Sequence, residues 1–202
     1  MKGLMKKEFL MLWRASRAFL LICVVFIFMS LLSQDNAIFM LMPIMISGLL
    51  PSTLLSYDER CRWQEFSGAL PVTRVQLVSA KYLLGLLCMT AVLVITAVLH
   101  LIVRRYPPEM LVSILGGVYG LSLFISAVSL PLMFKFGVEK GRLAYLATLV
   151  LIGGASGASA GVMPDLMQGG VPAFLKLIPL IGIVIYALSW LLAIRFYQKR
   201  EF

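Results

Sequence analysis

The chain has 202 residues, of which 61% are apolar and 13% charged, and its mean hydropathy is +0.97. A soluble domain is about 45–50% apolar and about 25% charged, so this composition excludes a soluble globular domain, a disordered chain and a disulfide scaffold. The net charge is +9, from 18 Lys and Arg against 9 Asp and Glu. The composition therefore predicts an all-α, polytopic membrane protein.

The first 17 residues carry too much charge to cross a membrane. At 100° per residue, one arc of a helix over this segment is apolar and another is basic. The apolar arc holds Met5, Phe9, Leu12 and Trp13, and the basic arc holds Lys6, Lys7, Arg14 and Arg17. Such a pattern is typical of a helix that lies in the headgroup layer. We predict an interfacial helix over residues 1–17; the alternative is a basic leader that only sets orientation.

Six apolar runs follow, and a helix needs about 20 residues to cross a hydrocarbon layer of about 30 Å. They cover residues 18–33, 37–55, 75–103, 110–134, 143–162 and 171–196. A longer charged stretch, residues 56–74, separates the second run from the third, and the other connections are short, one of them with the proline pair Pro107-Pro108. We therefore predict one transmembrane domain of six helices over residues 1–202.

The stretch between the second and third runs is the most distinctive, and we predict a short cytoplasmic helix over residues 57–71. Asp58 and Glu59 are expected at its start, where negative charge complements the helix dipole. An apolar stripe follows at helical spacing, formed by Trp63, Phe66 and Leu70. Pro71 ends the helix because it lacks an amide hydrogen.

Thr73 and Gln76 have the spacing of a capping box, so the third span is expected to begin there. A short helix that presents Trp63 and Phe66 beside charged residues suits docking on a soluble partner. The alternative is that both aromatic side chains lie in the membrane interface.

The basic residues predict the orientation of the chain. With six spans, 15 of them fall on the side that holds both termini, and the other side holds only Arg104, Arg105 and Lys176. Lys and Arg are enriched on the cytoplasmic side, so both termini are predicted to be cytoplasmic. The positive charge thus reports on topology, and no nucleic-acid partner is expected.

Polar residues inside the spans are few. His100 is interpreted either as a polar helix end near the interface or as a functional group, on a substrate path or as a pH sensor, and Lys176 is expected to snorkel outward. The three cysteines, Cys23, Cys61 and Cys88, have no metal-ligand or disulfide spacing, so neither kind of site is expected.

Small residues recur every four positions in two spans. They are Gly116 and Gly120 in the fourth run, and Gly153, Gly157 and Gly161 in the fifth. This spacing lets helix backbones approach closely in lipid. It leaves open whether the contact lies within one subunit or between two.

The block between the second and third runs also resembles a known family. The residues that carry the resemblance are Asp58-Glu59, Trp63-Gln64-Glu65-Phe66, Ala69-Leu70-Pro71-Val72-Thr73-Arg74 and Val78-Ser79-Ala80-Lys81-Tyr82. They are similar to the corresponding segment of ABC-2-type transporter permeases, most of all the short six-span permeases of bacterial peptide, toxin and antibiotic exporters. The motif-like similarity is confined to about residues 56–82.

The resemblance implies an N-terminal elbow helix over residues 1–17 and a coupling helix over residues 57–71 that contacts an ATPase subunit. The residues that it assigns to coupling are Asp58, Glu59, Arg62, Trp63, Glu65, Phe66, Leu70, Pro71 and Arg74. It also implies a second permease protomer and a place in a bacterial plasma membrane. Larger relatives have a substantial external segment between spans five and six, whereas residues 163–170 are a short connection.

The sequence holds no phosphate-binding loop of the form G-x-x-x-x-G-K-[ST]. We therefore expect ATP and magnesium to bind a partner ATPase, with no catalytic residue, cofactor or metal in this chain. The predicted function is the permease subunit of an ATP-driven exporter of amphipathic or hydrophobic cargo such as a peptide, toxin or antibiotic. The alternatives are a non-transporting immunity or regulatory subunit and, less favoured, a membrane-embedded enzyme, for which paired catalytic groups are missing.

Overall fold

The computed structural model describes residues 2–15, 17–32, 37–61, 63, 73–103, 107–141, 143, 146–148, 150–151 and 173–198, and these ranges contain helix and no strand. Seven helices within them exceed ten residues. They are α1 (Lys2–Ala15), α2 (Arg17–Leu32), α3 (Ala37–Ser47), α4 (Leu50–Arg60), α5 (Arg74–Val103), α6 (Pro108–Phe136) and α7 (Ala173–Gln198).

Three helices of the described part are long and apolar enough to cross a membrane: α5, α6 and Leu177–Gln198 of α7. Counted together, α1 and α2 would form a fourth, bent by 67° between them. The prediction of an all-helical membrane protein is confirmed, while the count of six spans stays a prediction. The fifth predicted span, residues 143–162, lies mostly outside the described residues.

The second predicted span, residues 37–55, is two helices in the structure. Gly48 and Leu49 form a turn in which their amides bond to the carbonyls three residues earlier, at 3.2 and 3.0 Å. Pro51 in the first turn of α4 has no amide hydrogen to continue the ladder of α3. The helix therefore breaks where the sequence shows only a continuous apolar run.

Serine side chains of α6 satisfy the carbonyl groups at this break. The Ser122 hydroxyl donates to the Ile44 carbonyl oxygen at 3.3 Å, and the Ser126 hydroxyl donates to the Gly48 carbonyl oxygen at 3.1 Å. A Cβ at Gly48 would lie 2.6 Å from the Ser122 oxygen, so glycine permits the close approach. Broken backbone inside a membrane protein needs such partners because lipid offers none.

The closest helix crossing lies between α6 and α7. A Cβ at Gly120 would lie 2.7 Å from the Ile178 carbonyl oxygen, and a Cβ at Gly182 would lie 2.9 Å from the Gly120 carbonyl oxygen. Gly120 thus sits at a contact within one subunit, whereas Gly116 has ordinary clearance from Pro179, at 3.6 Å. Gly153, Gly157 and Gly161 lie outside the described residues.

An aromatic cluster fills the interior between α5 and α7. The Tyr82 ring stacks on Trp190 with centroids 5.8 Å apart and packs against Tyr186 at 5.1 Å. The Tyr82 hydroxyl lies 2.9 Å from the Ser189 hydroxyl, and the Tyr186 hydroxyl donates to the Tyr82 carbonyl oxygen at 2.9 Å. Each buried hydroxyl therefore has a partner, as an apolar interior requires.

Candidate functional site

Two adjacent residues of α1 enter the protein interior instead of the headgroup layer. Glu8 is 1% exposed, and the neighbouring Lys7 side chain is 22% exposed. The inner face of α1 also buries Leu12, which packs with Leu50 and Leu54 of α4. Helix α1 is thus held against the bundle by an apolar contact and by the charged residues beside it.

Four charged side chains form a closed group, which we call the ion cluster: Lys7, Glu8, Asp58 and Lys81. The Lys81 Nζ atom lies 2.6 Å from Glu8 Oε2 and 2.5 Å from Asp58 Oδ2. The Lys7 Nζ atom lies 2.6 Å from Asp58 Oδ1 and 3.1 Å from Glu8 Oε1. The cluster therefore joins α1, α4 and α5. Helices α4 and α5 flank the stretch of chain between them, which we call the coupling segment.

The composition of the ion cluster explains how four charges can be buried together. Two ammonium groups alternate with two carboxylates, so the net charge is zero and each carboxylate uses both oxygens. Burying a single ion costs several kcal/mol, and close, hydrogen-bonded opposite charges offset that cost. Removal of one member would leave a neighbour buried without its full complement of partners.

Trp63, the first aromatic residue of the predicted docking stripe, lies against this cluster. The Lys7 Nζ atom is 4.1 Å from the centroid of the Trp63 ring, which is a cation–π distance. Lys7 is thus a member of the ion cluster and also contacts the coupling segment.

Glu59, next to Asp58, joins the end of α4 to the chain after α6. Its Oε2 atom accepts a hydrogen bond from the Val138 amide at 2.9 Å. Gly137 ends α6 with φ +90°, a conformation that favours glycine, and its amide donates to the Met133 carbonyl oxygen. The carboxylate therefore caps the helical residues that begin at Val138.

The other flank of the segment is held by two sets of contacts. The Gln76 amide donates to the Thr73 hydroxyl and the Thr73 amide donates to the Gln76 side-chain oxygen, both at 3.3 Å, so the predicted capping box is confirmed. The Arg74 guanidinium donates to the Tyr197 and Gln198 carbonyl oxygens at 3.3 and 3.0 Å. It thereby satisfies carbonyls of the last turn of α7.

The prediction that Asp58 and Glu59 start a new helix is wrong, since both lie in the last turn of α4. Negative charge at a helix C-terminus is unfavourable, and Lys7, Lys81 and the Val138 amide offset it here. The remaining predicted coupling residues, Arg62, Glu65, Phe66, Leu70 and Pro71, lie outside the described residues.

The sequence interpretation missed Glu8 and Lys81 as members of a site. Glu8 is the only acidic residue in the first 34 positions, and Lys81 interrupts an apolar run. The isolated negative charge of Glu8 and the isolated positive charge of Lys81 could each have indicated a functional or structural site. Their pairing was not readable because 73 positions separate them in the chain.

The predicted interfacial residues divide into two groups. Lys6, Phe9, Trp13 and Arg14 are exposed on α1, and Arg17 is exposed at the start of α2, where its Nε donates to the Trp13 carbonyl oxygen at 3.2 Å. Lys7 and Leu12 instead turn inward, so the predicted stripes are displaced around the helix axis. Exposed aromatic and basic side chains remain together on the outer face.

His100 is buried, at 2% exposure, and links α5 to α2. Its Nδ1 donates to the Thr96 carbonyl oxygen at 2.9 Å, since a carbonyl can only accept, and its Nε2 lies 2.9 Å from the Ser30 hydroxyl. The Lys176 side chain lies outside the described residues. Within the described ranges Cys23 and Cys88 are buried, Cys61 is exposed, and no three metal-ligating side chains converge.

Comparison with known proteins identifies the family of the chain. A family model described as "ABC-2 family transporter protein" matches residues 3–198. The comparisons with curated proteins and with solved structures give no match. The family match covers nearly the whole chain, including all four members of the ion cluster and both flanks of the coupling segment. The chain therefore belongs to the ABC-2 family of transporter proteins.

Proposed function

We propose that this chain is the permease subunit of an ATP-driven exporter and that separate ATPase subunits dock on the segment between α4 and α5. The family supports a transporter membrane domain. The docking position is supported by the arrangement of charged contacts at both ends of the segment.

The observation that carries the proposal is that three flanking residues join the segment to other helices. Asp58 binds Lys7 of α1 and Lys81 of α5, Glu59 binds the Val138 amide after α6, and Arg74 binds the end of α7. A force on the segment would thus reach four other parts of the bundle through short polar contacts. Tightly packed interiors pass on such displacements instead of absorbing them.

The predicted coupling residues would then have two different roles. Asp58, Glu59 and Arg74 contact the protein itself and would position the segment and pass on its movement. Phe66 would contact the ATPase, and Trp63, which is partly exposed and also lies against Lys7, would contact both the ATPase and the ion cluster. The other residues proposed for that surface are Arg62, Glu65, Leu70 and Pro71.

The exporter would contain a second permease protomer, either a copy of this chain or a related one, and ATP and magnesium would bind the ATPase subunits. Both termini would be cytoplasmic, with the outer face of α1 in the headgroup layer. The buried polar groups of the described spans are mainly serine and tyrosine hydroxyls. An interior of this kind favours amphipathic or hydrophobic cargo over ions or sugars.

The docking surface can be tested by co-purification. We would express the tagged chain with the ATPase encoded beside its gene and compare Trp63→Ala/Phe66→Ala with Phe9→Ala/Trp13→Ala, which removes the same residue types from the exposed face of α1. Loss of two aromatic anchors should lower ATPase capture at least about tenfold in the first variant only. Equal capture by both variants would refute docking at this segment.

Transmission can be separated from docking with Asp58→Asn. This variant should still capture the ATPase but should fail to restore export in a deletion strain that the wild-type chain restores. Export at the wild-type level would show that the ion cluster has no part in coupling. If deletion of the gene left export unchanged, the chain would not be a transport subunit.

A further inference from the structure

A cleft opens on the side of α4 that faces away from the ion cluster. It has a volume of about 210 Å³ and is lined by Phe19 at the start of α2 and by Thr53, Ser56, Tyr57 and Arg60 of α4. The α4 residues recur at helical spacing, so they share one face. The opposite face carries Leu54, Leu55 and Asp58, which are buried in the bundle.

The polar lining of this cleft suits an anion. The Thr53 hydroxyl donates to the Leu49 carbonyl oxygen at 3.0 Å and the Ser56 hydroxyl donates to the Ser52 carbonyl oxygen at 3.2 Å, so the donors left for an anion are those of Arg60 and Tyr57. Arg60 and Tyr57 are exposed, and neither side chain makes an ion pair or hydrogen bond with another group in the described ranges. Together they offer a guanidinium fork and a phenol hydroxyl one turn apart, a donor set that matches phosphate oxygens.

The position of the cleft favours a lipid as the source of that phosphate. Helix α1 meets α2 at 67°, so if α2 spans the membrane, α1 lies near the membrane plane and the cleft opens at headgroup depth. Phe19 packs on the apolar cluster formed by Leu12, Leu50 and Leu54. One turn further along α2, Ile22 is exposed and continues an apolar path towards the membrane interior.

A neighbouring cleft provides an internal comparison. It lies beside the first cleft on α4, shares Ser56 and Arg60 with it, and has a volume of about 330 Å³. Its lining includes the carboxylates of Glu59 and Glu139 beside Lys140, so negative charge there opposes a phosphate. Of these two clefts, the one at Phe19 combines a cation, a hydroxyl donor and an apolar wall without a carboxylate in its lining.

We infer that the cleft formed by Phe19, Thr53, Ser56, Tyr57 and Arg60 binds an anionic phospholipid. Arg60 and Tyr57 bind the headgroup phosphate, and Phe19 and Ile22 contact the glycerol and the first part of an acyl chain. The lipid would fill the corner between α1, α2 and α4. The inference goes beyond the proposed function, since it needs only that α2 enters the membrane and does not involve the ATPase.

Native mass spectrometry of the purified full chain tests this site. The probes are phosphatidylglycerol and phosphatidylcholine offered in equal amounts, and the measured quantity is the ratio of the two lipids that stay bound. Phosphatidylglycerol carries a net negative charge and zwitterionic phosphatidylcholine does not, so loss of the Arg60 charge in Arg60→Gln should lower that ratio about tenfold. Lys140→Gln, which removes one positive charge from the neighbouring cleft, should leave the ratio within about twofold.

Two further arms complete the test. Tyr57→Phe keeps the ring but removes a hydroxyl that can donate to the phosphate of either lipid, so it should lower the bound amount of both lipids and leave their ratio within about twofold. Excess inorganic phosphate should not displace the lipid, because phosphate cannot use the apolar wall. Equal losses in Arg60→Gln and Lys140→Gln would show diffuse attraction to charge and overturn the site. An unchanged ratio in Arg60→Gln, or displacement by phosphate, would overturn it as well.

Discussion

Lys81 is the more deeply buried of the two lysines that contact both carboxylates, since its side chain is 5% exposed and that of Lys7 is 22% exposed. Lys81→Met would keep most of the side-chain volume but leave Glu8 and Asp58 with only Lys7 between them. Breaking a buried pair by removing one partner typically costs about 3–5 kcal/mol. We therefore expect a clear fall in the melting temperature of the purified protein in detergent, measured by thermal unfolding.

Two controls separate this effect from a general loss of positive charge. Lys140→Met removes an exposed lysine and should leave the melting temperature nearly unchanged. Adding Glu8→Gln to Lys81→Met leaves one lysine with one carboxylate and should recover much of the lost stability. If the double variant were no more stable than Lys81→Met, the cluster would not act as a balanced unit.

Ser30 supports a second prediction, because its hydroxyl is the contact that α2 offers to the buried His100 ring. Ser30→Ala removes that partner, and an unsatisfied buried polar group costs about 1–3 kcal/mol. The matched control is Ser113→Ala, since the buried Ser113 hydroxyl donates only to the Glu109 carbonyl oxygen of its own helix. The melting temperature should fall for Ser30→Ala and not for Ser113→Ala. Equal decreases in the two variants would show that the contact with His100 has no special role in stability.

At the scale of helices, α6 and α7 can cross this closely because Gly120 and Gly182 have no side chains. Gly120→Ala would place a methyl group 2.7 Å from the Ile178 carbonyl oxygen, so one helix backbone must move. Overpacking of this kind costs about 1–3 kcal/mol. We expect lower thermal stability in detergent for Gly120→Ala.

Gly116→Ala is the control for this crossing, one turn earlier on the same helix. Its methyl group would lie 3.6 Å from Pro179, an ordinary contact, and alanine favours a helix over glycine by about 1 kcal/mol. This variant should be as stable as the wild type or more so. A loss of stability as large as that of Gly120→Ala would mean that the crossing is not where the structure places it.

Local signals predicted the start of α5 but not the interruption between α3 and α4. The capping box of Thr73 and Gln76 was readable because both partners lie within one helical turn. The break at Gly48 was not, because two serines of α6, 78 positions away, satisfy the exposed carbonyls. A continuous apolar run therefore predicts that a segment is buried in lipid or protein, but not that it forms a single helix.

The same limit applies to the candidate site. Sequence patterns placed Asp58, Glu59 and Arg74 near one functional segment, and the structure shows each of them in a charged contact. The partners of these contacts lie on helices distant in the chain, so no periodicity could identify them. Without those partners, negative charge is expected at the start of a helix, so the sequence patterns assigned Asp58 and Glu59 to the wrong helix end.

At the scale of the whole molecule, hydropathy and basic residues predict a membrane protein with a defined orientation. The exposed faces of α2, α5 and α7 carry large apolar side chains, as the lipid-facing side of a bundle does. Orientation is a separate property, because the same bundle could be inserted either way. Only the distribution of Lys and Arg favours cytoplasmic termini.

The natural cysteines allow a direct test of that orientation. Cys61 is exposed directly after α4, while Cys23 and Cys88 are buried in the bundle, so a membrane-impermeant maleimide should react with Cys61 alone. With cytoplasmic termini, intact cells should show little labelling and permeabilised cells should show much more. Cys61→Ser should abolish the signal in permeabilised cells, which assigns it to one thiol. Full labelling of Cys61 in intact cells would place the segment outside the cell, out of reach of any cytoplasmic ATPase, and the proposed function would be wrong.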